Sequence, residues 1–216
     1  MTTLQQLIHF LIHIDTYLIN FVAIYGLWAY VILFAIIFCE TGLVIFPFLP
    51  GDSLIFAAGS LAAHQSEPLN FHMLFVSLTL ASILGNKINY LIGMYLGPRV
   101  FGKTGARFLN QQYLLRAHEF YNRHGGKTII FARFLPILRT FVPFVAGIAY
   151  MSLPRFSVYN VMSALVWIGS LLSAGYFLGG LPFFQKNFSL VVYGIIFVSL
   201  LPPIALYCSK IYSSNL

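Results

Sequence analysis

The chain has 216 residues, 59% of them hydrophobic and only 8% charged, with a mean hydropathy of +0.85. A soluble domain carries roughly 25% charged residues, so a water-soluble enzyme is excluded, and 22 Phe with 13 Tyr exclude a disordered chain. The net charge of +7 comes from basic residues clustered between hydrophobic stretches, which points to a membrane surface and not to nucleic acid.

In chain order, residues 1–16 contain no Lys or Arg, lack the charged start of a cleaved signal peptide, and read as a retained interfacial helix. Crossing a bilayer needs about 20 apolar residues. Four stretches meet that need: Tyr17 to Cys39, Met73 to Leu96, Ser157 to Leu178 and Phe188 to Cys208. Cys39 and Cys208 both lie in apolar surroundings and read as small hydrophobes, with no disulfide or metal framework.

Two further apolar segments are interrupted. Residues 42–63 contain Pro47, Pro50, Gly51 and Asp52, and residues 128–150 contain Arg133, Pro136, Arg139 and Pro143. Proline removes a backbone donor and breaks a helix, so each segment is expected to form a re-entrant helical hairpin packed inside the spans. Residues 98–127 are rich in Lys and Arg, whereas 64–72 hold none, which puts the former in the cytoplasm together with both termini. Asn110 to Gly125 reads as an amphipathic helix on the inner membrane surface, with a solvated hairpin packed on the protein as the alternative. The expected architecture is an all-α integral membrane protein of about four transmembrane helices with two re-entrant hairpins. They form an inverted repeat, with residues 17–180 as the membrane domain and 181–216 as a C-terminal helix and tail.

Ionisable groups at membrane depth cost a few kcal/mol each and usually face a partner or a cavity. Glu40, Asp52, Arg133 and Arg139 are the candidates. On an unbroken helix Arg133 and Arg139 would diverge by roughly 240°, a divergence that Pro136 can relieve. One reading is structural, with two buried ion pairs tying the hairpins together. In the other, Arg133 and Arg139 grip a phosphate while Glu40 or Asp52 carries a proton. Gly125-Gly126-Lys127-Thr128 lacks the first glycine and the preceding strand of a phosphate loop. There is no HExxH, no GxSxG and no aspartate-rich motif, so neither a metal, a cofactor nor an enzymatic activity is expected. Gly85, Gly93 and Gly97 are explained by close helix packing.

The segments CETGLVIFPFLPGDSLIFAAG (Cys39 to Gly59) and FARFLPILRTFVPFVAG (Phe131 to Gly147) strongly resemble the DedA family, also called the VTT or SNARE-associated family. GNKINYLIGMYLG (Gly85 to Gly97), HGGKTI (His124 to Ile129) and YNVMSALVW (Tyr159 to Trp167) extend the resemblance over most of the chain, and the pattern is nearest the bacterial branch after which the family is named. The resemblance implies a multi-pass protein of the bacterial inner membrane that moves lipid between leaflets. Undecaprenyl phosphate or a phospholipid is the implied cargo, and proton-motive-force homeostasis a linked role. It also implies that Glu40, Asp52, Arg133 and Arg139 occupy the positions on which the family's activity depends. Asn86 stands where many members have Asp, and Met94 where many have Arg. The expected function is transport of an anionic lipid, with energy-independent scrambling or a non-transporting organiser as alternatives. The expected partners are the bilayer and an anionic headgroup, and a homo-oligomer is compatible with all three readings.

Overall fold

The computed structural model describes residues 26–43, 51–63, 69–101, 126–179 and 181. Over these residues the regular structure is entirely helical: α1 (Leu27–Gly42), α2 (Gly51–Ala62), α3 (Phe71–Phe101), α4 (Lys127–Ala132), α5 (Pro136–Ile148) and α6 (Leu153–Gly179). Of the expected spans, the second and third coincide with α3 and α6, whose segments Phe71–Leu96 and Leu153–Gly179 are long and apolar enough to cross a membrane. The first is described only from Gly26 onward, and its helix runs past Cys39 so that Glu40 lies in the last turn of α1. The fourth span, the N-terminal helix, the proline cluster at Pro47 and Pro50 and the amphipathic segment 110–125 lie outside the described residues.

Local chemistry accounts for the helix ends. Asn70 caps α3, its Oδ1 accepting the backbone N–H groups of His72 at 2.9 Å and Met73 at 3.3 Å. Proline disfavours helical backbone at the residue before it, and Leu135 is accordingly extended (φ −110°, ψ 112°) with Pro136 opening α5. That break separates α4 from α5 at residues 133–135. Pro143, expected to interrupt the second hairpin, does not: α5 continues through it. A single proline removes one donor, here the one that would ordinarily serve the Arg139 carbonyl, while the packed neighbours keep the rest of the helix in place. At the far end of α5, Tyr150 takes a left-handed conformation (φ 54°). Its N–H donates to Gly147 O at 3.0 Å, and Met151 N–H donates to Ala146 O at 3.1 Å, the bond pattern that usually ends with glycine.

The helices are apolar outside, and inside they bury polar side chains among an apolar core. Along α3, Met73, Val76, Leu80, Leu84, Ile88 and Leu91 recur at helical spacing on the exposed face, while Ser82, Asn86 and Asn89 are buried. On α6, Val158, Met162, Leu165 and Val166 are exposed, while Asn160, Ser163 and Trp167 are buried. A soluble fold reverses this arrangement, and an apolar solvent around the bundle explains it. Helix α2 is buried on almost every side. With 12 residues it extends about 18 Å, well short of a hydrocarbon core of roughly 30 Å.

Helix α2 packs along α6, and α5 along α3. Both crossings rest on a reciprocal pair of glycines. A Cβ on Gly59 would strike the carbonyl of Leu172, and one on Gly175 would strike the carbonyl of Phe56. In the same way, Gly147 lies against the carbonyl of Tyr90, and Gly93 against that of Phe144. In each crossing the glycine and the carbonyl that meets its partner are three residues apart on both helices, and the contact order makes each pair antiparallel. Small residues let the backbones approach this closely. Gly42 and Gly85 bring α1 onto α3 as well, with a Cβ on Gly42 only 3.3 Å from the Gly85 Cα.

Candidate functional site

Four elements deliver the four charged residues read from the sequence. Glu40 comes from the last turn of α1, Asp52 from the first turn of α2, Arg133 from the break before α5, and Arg139 from the first half of α5. The pairing is asymmetric. The Arg139 guanidinium takes both acids: Nη2 donates to Glu40 Oε1, and Nη1 donates to Asp52 Oδ1 at 2.7 Å. Bonding of one planar fork to two carboxylates on different helices ties α1, α2 and α5 together. Glu40 is wholly buried (0% side-chain exposure), whereas 18% of the Asp52 side chain remains exposed.

Gly51, expected as part of a hairpin break, has a second role as the first residue of α2. A Cβ there would overlap the Glu40 carboxylate, reaching 2.5 Å from its Cδ. The glycine therefore lets a carboxylate sit against the helix N-terminus, where the positive end of the helix dipole favours both acids. Pro136 is the opening residue of α5, and Pro143 lies buried within that helix.

Arg133 sits differently. Its Nη1 donates to Ser163 Oγ at 2.7 Å and to Asn160 Oδ1 at 3.2 Å, and its Nη2 donates to Ser82 Oγ. Among the described residues it makes no ion pair, although it is buried, and its Nε has no hydrogen-bond partner there. Asn160 organises this cage: its Oδ1 also accepts Asn86 Nδ2 at 3.1 Å, while its own Nδ2 donates to Ile83 O at 3.0 Å. Asn86 thus supplies a neutral donor to the cage around the cation.

Trp167 joins the two halves. Its indole N–H donates to Asp52 Oδ1 at 3.0 Å, and the Cζ atoms of Arg133 and Arg139 lie 5.4 and 5.3 Å from its ring centroid. Both guanidiniums are within cation–π range of one buried ring. The divergence of an unbroken helix is therefore absent, because the chain turns at residues 133–135.

Charge alone did not point to Ser82, Asn86, Asn89, Asn160, Ser163 or Trp167. A signal was present in their spacing. Ser82, Asn86 and Asn89 stand four and three apart, and Asn160, Ser163 and Trp167 stand three and four apart, so each set forms one helical stripe inside an otherwise apolar span. Among the described residues no group of three or more His, Cys, Asp or Glu could hold a metal ion.

The VTT domain pattern matches residues 49–177, which hold Asp52, both arginines and the whole neutral cage. The chain belongs to the DedA family. It is 50% identical over 202 residues to the Escherichia coli K12 protein named DedA, covering 94% of this chain and 92% of that one. An uncharacterized membrane protein of Mycobacterium leprae is 46% identical over 167 residues, covering 77% and 74% of the two chains. The E. coli K12 inner membrane protein YqjA is 36% identical over 157 residues, covering 73% and 70%. No solved structure matches the chain. For this DedA-family membrane protein, the site consists of one arginine shared by two acids and a second arginine among neutral donors and acceptors.

Proposed function

We propose that this protein moves an anionic lipid between the leaflets of the bacterial inner membrane, with Arg133 and Arg139 as the phosphate-binding groups and Glu40 and Asp52 as their proton-dependent competitors. The observation that supports it is the difference between the two arginines. Arg139 is occupied by two carboxylates, whereas Arg133 is a buried cation held by hydroxyl and amide groups. At Arg139 an incoming phosphate and the two acids compete for the same donors. Protonation of Glu40 or Asp52 weakens its hold on Arg139 and frees a donor for the lipid; ionisation takes the donor back. Asp52 is the more accessible of the two acids and the natural point of proton entry.

The topology belongs to this proposal. The shortness of α2, the break before α5 and the matched glycine crossings of α2 on α6 and of α5 on α3 support two re-entrant hairpins in an inverted repeat. Both termini lie in the cytoplasm, and undecaprenyl phosphate or a phospholipid is the cargo. The protein requires no cofactor and catalyses no covalent step.

The test is lipid translocation in proteoliposomes with and without an imposed proton gradient. Arg139→Ala and Glu40→Gln both lose transport if the proposal holds. If both variants fold normally and transport at the parent rate, the mechanism fails. Transport that persists in both directions and ignores the gradient identifies a scramblase. The three-helix clamp formed by Arg139 favours a second reading, a structural organiser in which the charges only fasten helices. Under that reading Asp52→Arg combined with Arg139→Asp restores function, and under the transport reading it does not.

A further inference from the structure

Neither the ion pairs nor the Arg133 cage uses Asn89, a residue of α3 that is completely buried. Its Nδ2 donates to two backbone carbonyls on different helices, Thr41 O at 3.2 Å and Thr140 O at 2.7 Å. Because both partners can only accept, the NH₂ group must face them, and the orientation of the amide is fixed by its surroundings. Each of the two carbonyls belongs to the neighbour of a paired charge: Thr41 follows Glu40, and Thr140 follows Arg139. The Thr41 carbonyl lies in the last turn of α1, where carbonyls have no helical donor, and Thr140 lies in the turn of α5 before Pro143. One side chain therefore bridges the backbones that present the two halves of the Glu40–Arg139 pair, which are 99 residues apart in the chain.

We infer that Asn89 is a positioning residue, whose amide holds Thr41 and Thr140 at the separation in which Glu40 and Arg139 meet. Leucine has nearly the same size but donates nothing, so Asn89→Leu leaves both carbonyls without this donor and lets α1 and α5 move apart. A mismatch of about 1 Å at a working site can lower its rate by roughly 100-fold. The link from register to transport rests on the function proposed above; the register itself does not.

Two measurements separate these parts. In full-length protein carrying Cys39→Ser, Cys208→Ser, Glu40→Cys and Arg139→Cys, the yield with a short bifunctional thiol crosslinker reports the distance between positions 40 and 139 without any transport step. Asn89→Leu and Asn89→Ala are expected to lower that yield several-fold, while Thr79→Val, another buried polar position on α3, leaves it at the parent value. An unchanged yield in both Asn89 variants overturns the proposal. If neither variant folds, Asn89→Ser, with one donor for two carbonyls, is expected to give an intermediate yield; a parent-like yield overturns the proposal equally. In the native-charge background, Asn89→Leu is expected to slow translocation of a fluorescent phosphatidylglycerol in proteoliposomes by roughly 10- to 100-fold. Reduced crosslinking with parent-rate transport supports the positioning role and removes the part assigned to the Glu40–Arg139 pair in transport instead.

Discussion

Trp167 donates its indole N–H to Asp52 Oδ1 at 3.0 Å, and that same oxygen accepts Arg139 Nη1 at 2.7 Å. One carboxylate oxygen thus receives a neutral and a charged donor from two helices while its own helix starts beside it. A hydrogen bond to a charged group contributes about 1.5–3 kcal/mol. Trp167→Phe, which keeps an aromatic six-membered ring but loses the N–H and the five-membered ring, is expected to lower unfolding stability in detergent by at least that amount. Trp167→Ala also removes the packing of a fully buried ring and is expected to cost about 3–5 kcal/mol. A Trp167→Phe variant as stable as the parent would show that the N–H bond contributes nothing.

Removal of Arg139 strands two carboxylates. Arg139→Gln is expected to destabilise the protein by about 3–5 kcal/mol, since breaking a buried pair leaves its charge uncompensated. Arg139→Lys is expected to be only a partial substitute, because a point charge cannot reproduce the fork between Glu40 and Asp52. The triple variant Glu40→Gln, Asp52→Asn, Arg139→Gln is expected to recover most of the stability lost in Arg139→Gln alone, as measured by thermal unfolding. A triple variant no more stable than the single one contradicts the pairing.

The Arg133 cage predicts strong coupling among neutral residues. Ser82→Ala leaves the buried Arg133 Nη2 without its serine acceptor, at about 1–3 kcal/mol, and Ser163→Ala costs less because Nη1 keeps Asn160 Oδ1 at 3.2 Å. In an Arg133→Leu background both substitutions are expected to become nearly neutral, and a double-mutant cycle measures the difference.

The glycine crossings predict matched effects at paired positions. Gly59→Ala and Gly147→Ala each push a Cβ into a backbone carbonyl of the facing helix, which cannot rotate away. Overpacking of this kind costs about 1–3 kcal/mol. Similar losses are expected at both sites, because the α2–α6 and α5–α3 contacts share one geometry. Thermal unfolding in a single detergent makes the comparison.

Tyr150 offers a stabilising substitution. A left-handed conformation costs a non-glycine residue roughly 1–2 kcal/mol, and Tyr150 is exposed at φ 54°. Tyr150→Gly is expected to raise the unfolding temperature; a lowered one would show that the ring makes contacts worth more than the strain.

Individual residues show where sequence reading succeeds and where it stops. Pro136 was legible because its effect is local: it constrains Leu135 directly, and the break follows. Pro143 misled because the same local rule competes with packing along α3, and the packing keeps α5 continuous. Asn86, Asn89, Asn160 and Ser163 form regular polar stripes, but their partners lie on other helices. No spacing within one span reveals which carbonyl or guanidinium a stripe will meet.

By itself the sequence established an apolar, helical chain of the DedA family with two acids and two arginines near proline breaks, because hydropathy, proline geometry and motif spacing act over a few residues. Only the tertiary structure decided that both acids share Arg139, that Arg133 rests among neutral groups, and that Trp167 touches both arginines. Those outcomes depend on where helices far apart in the chain cross, and the crossings are set by glycines whose missing side chains let one backbone press against another.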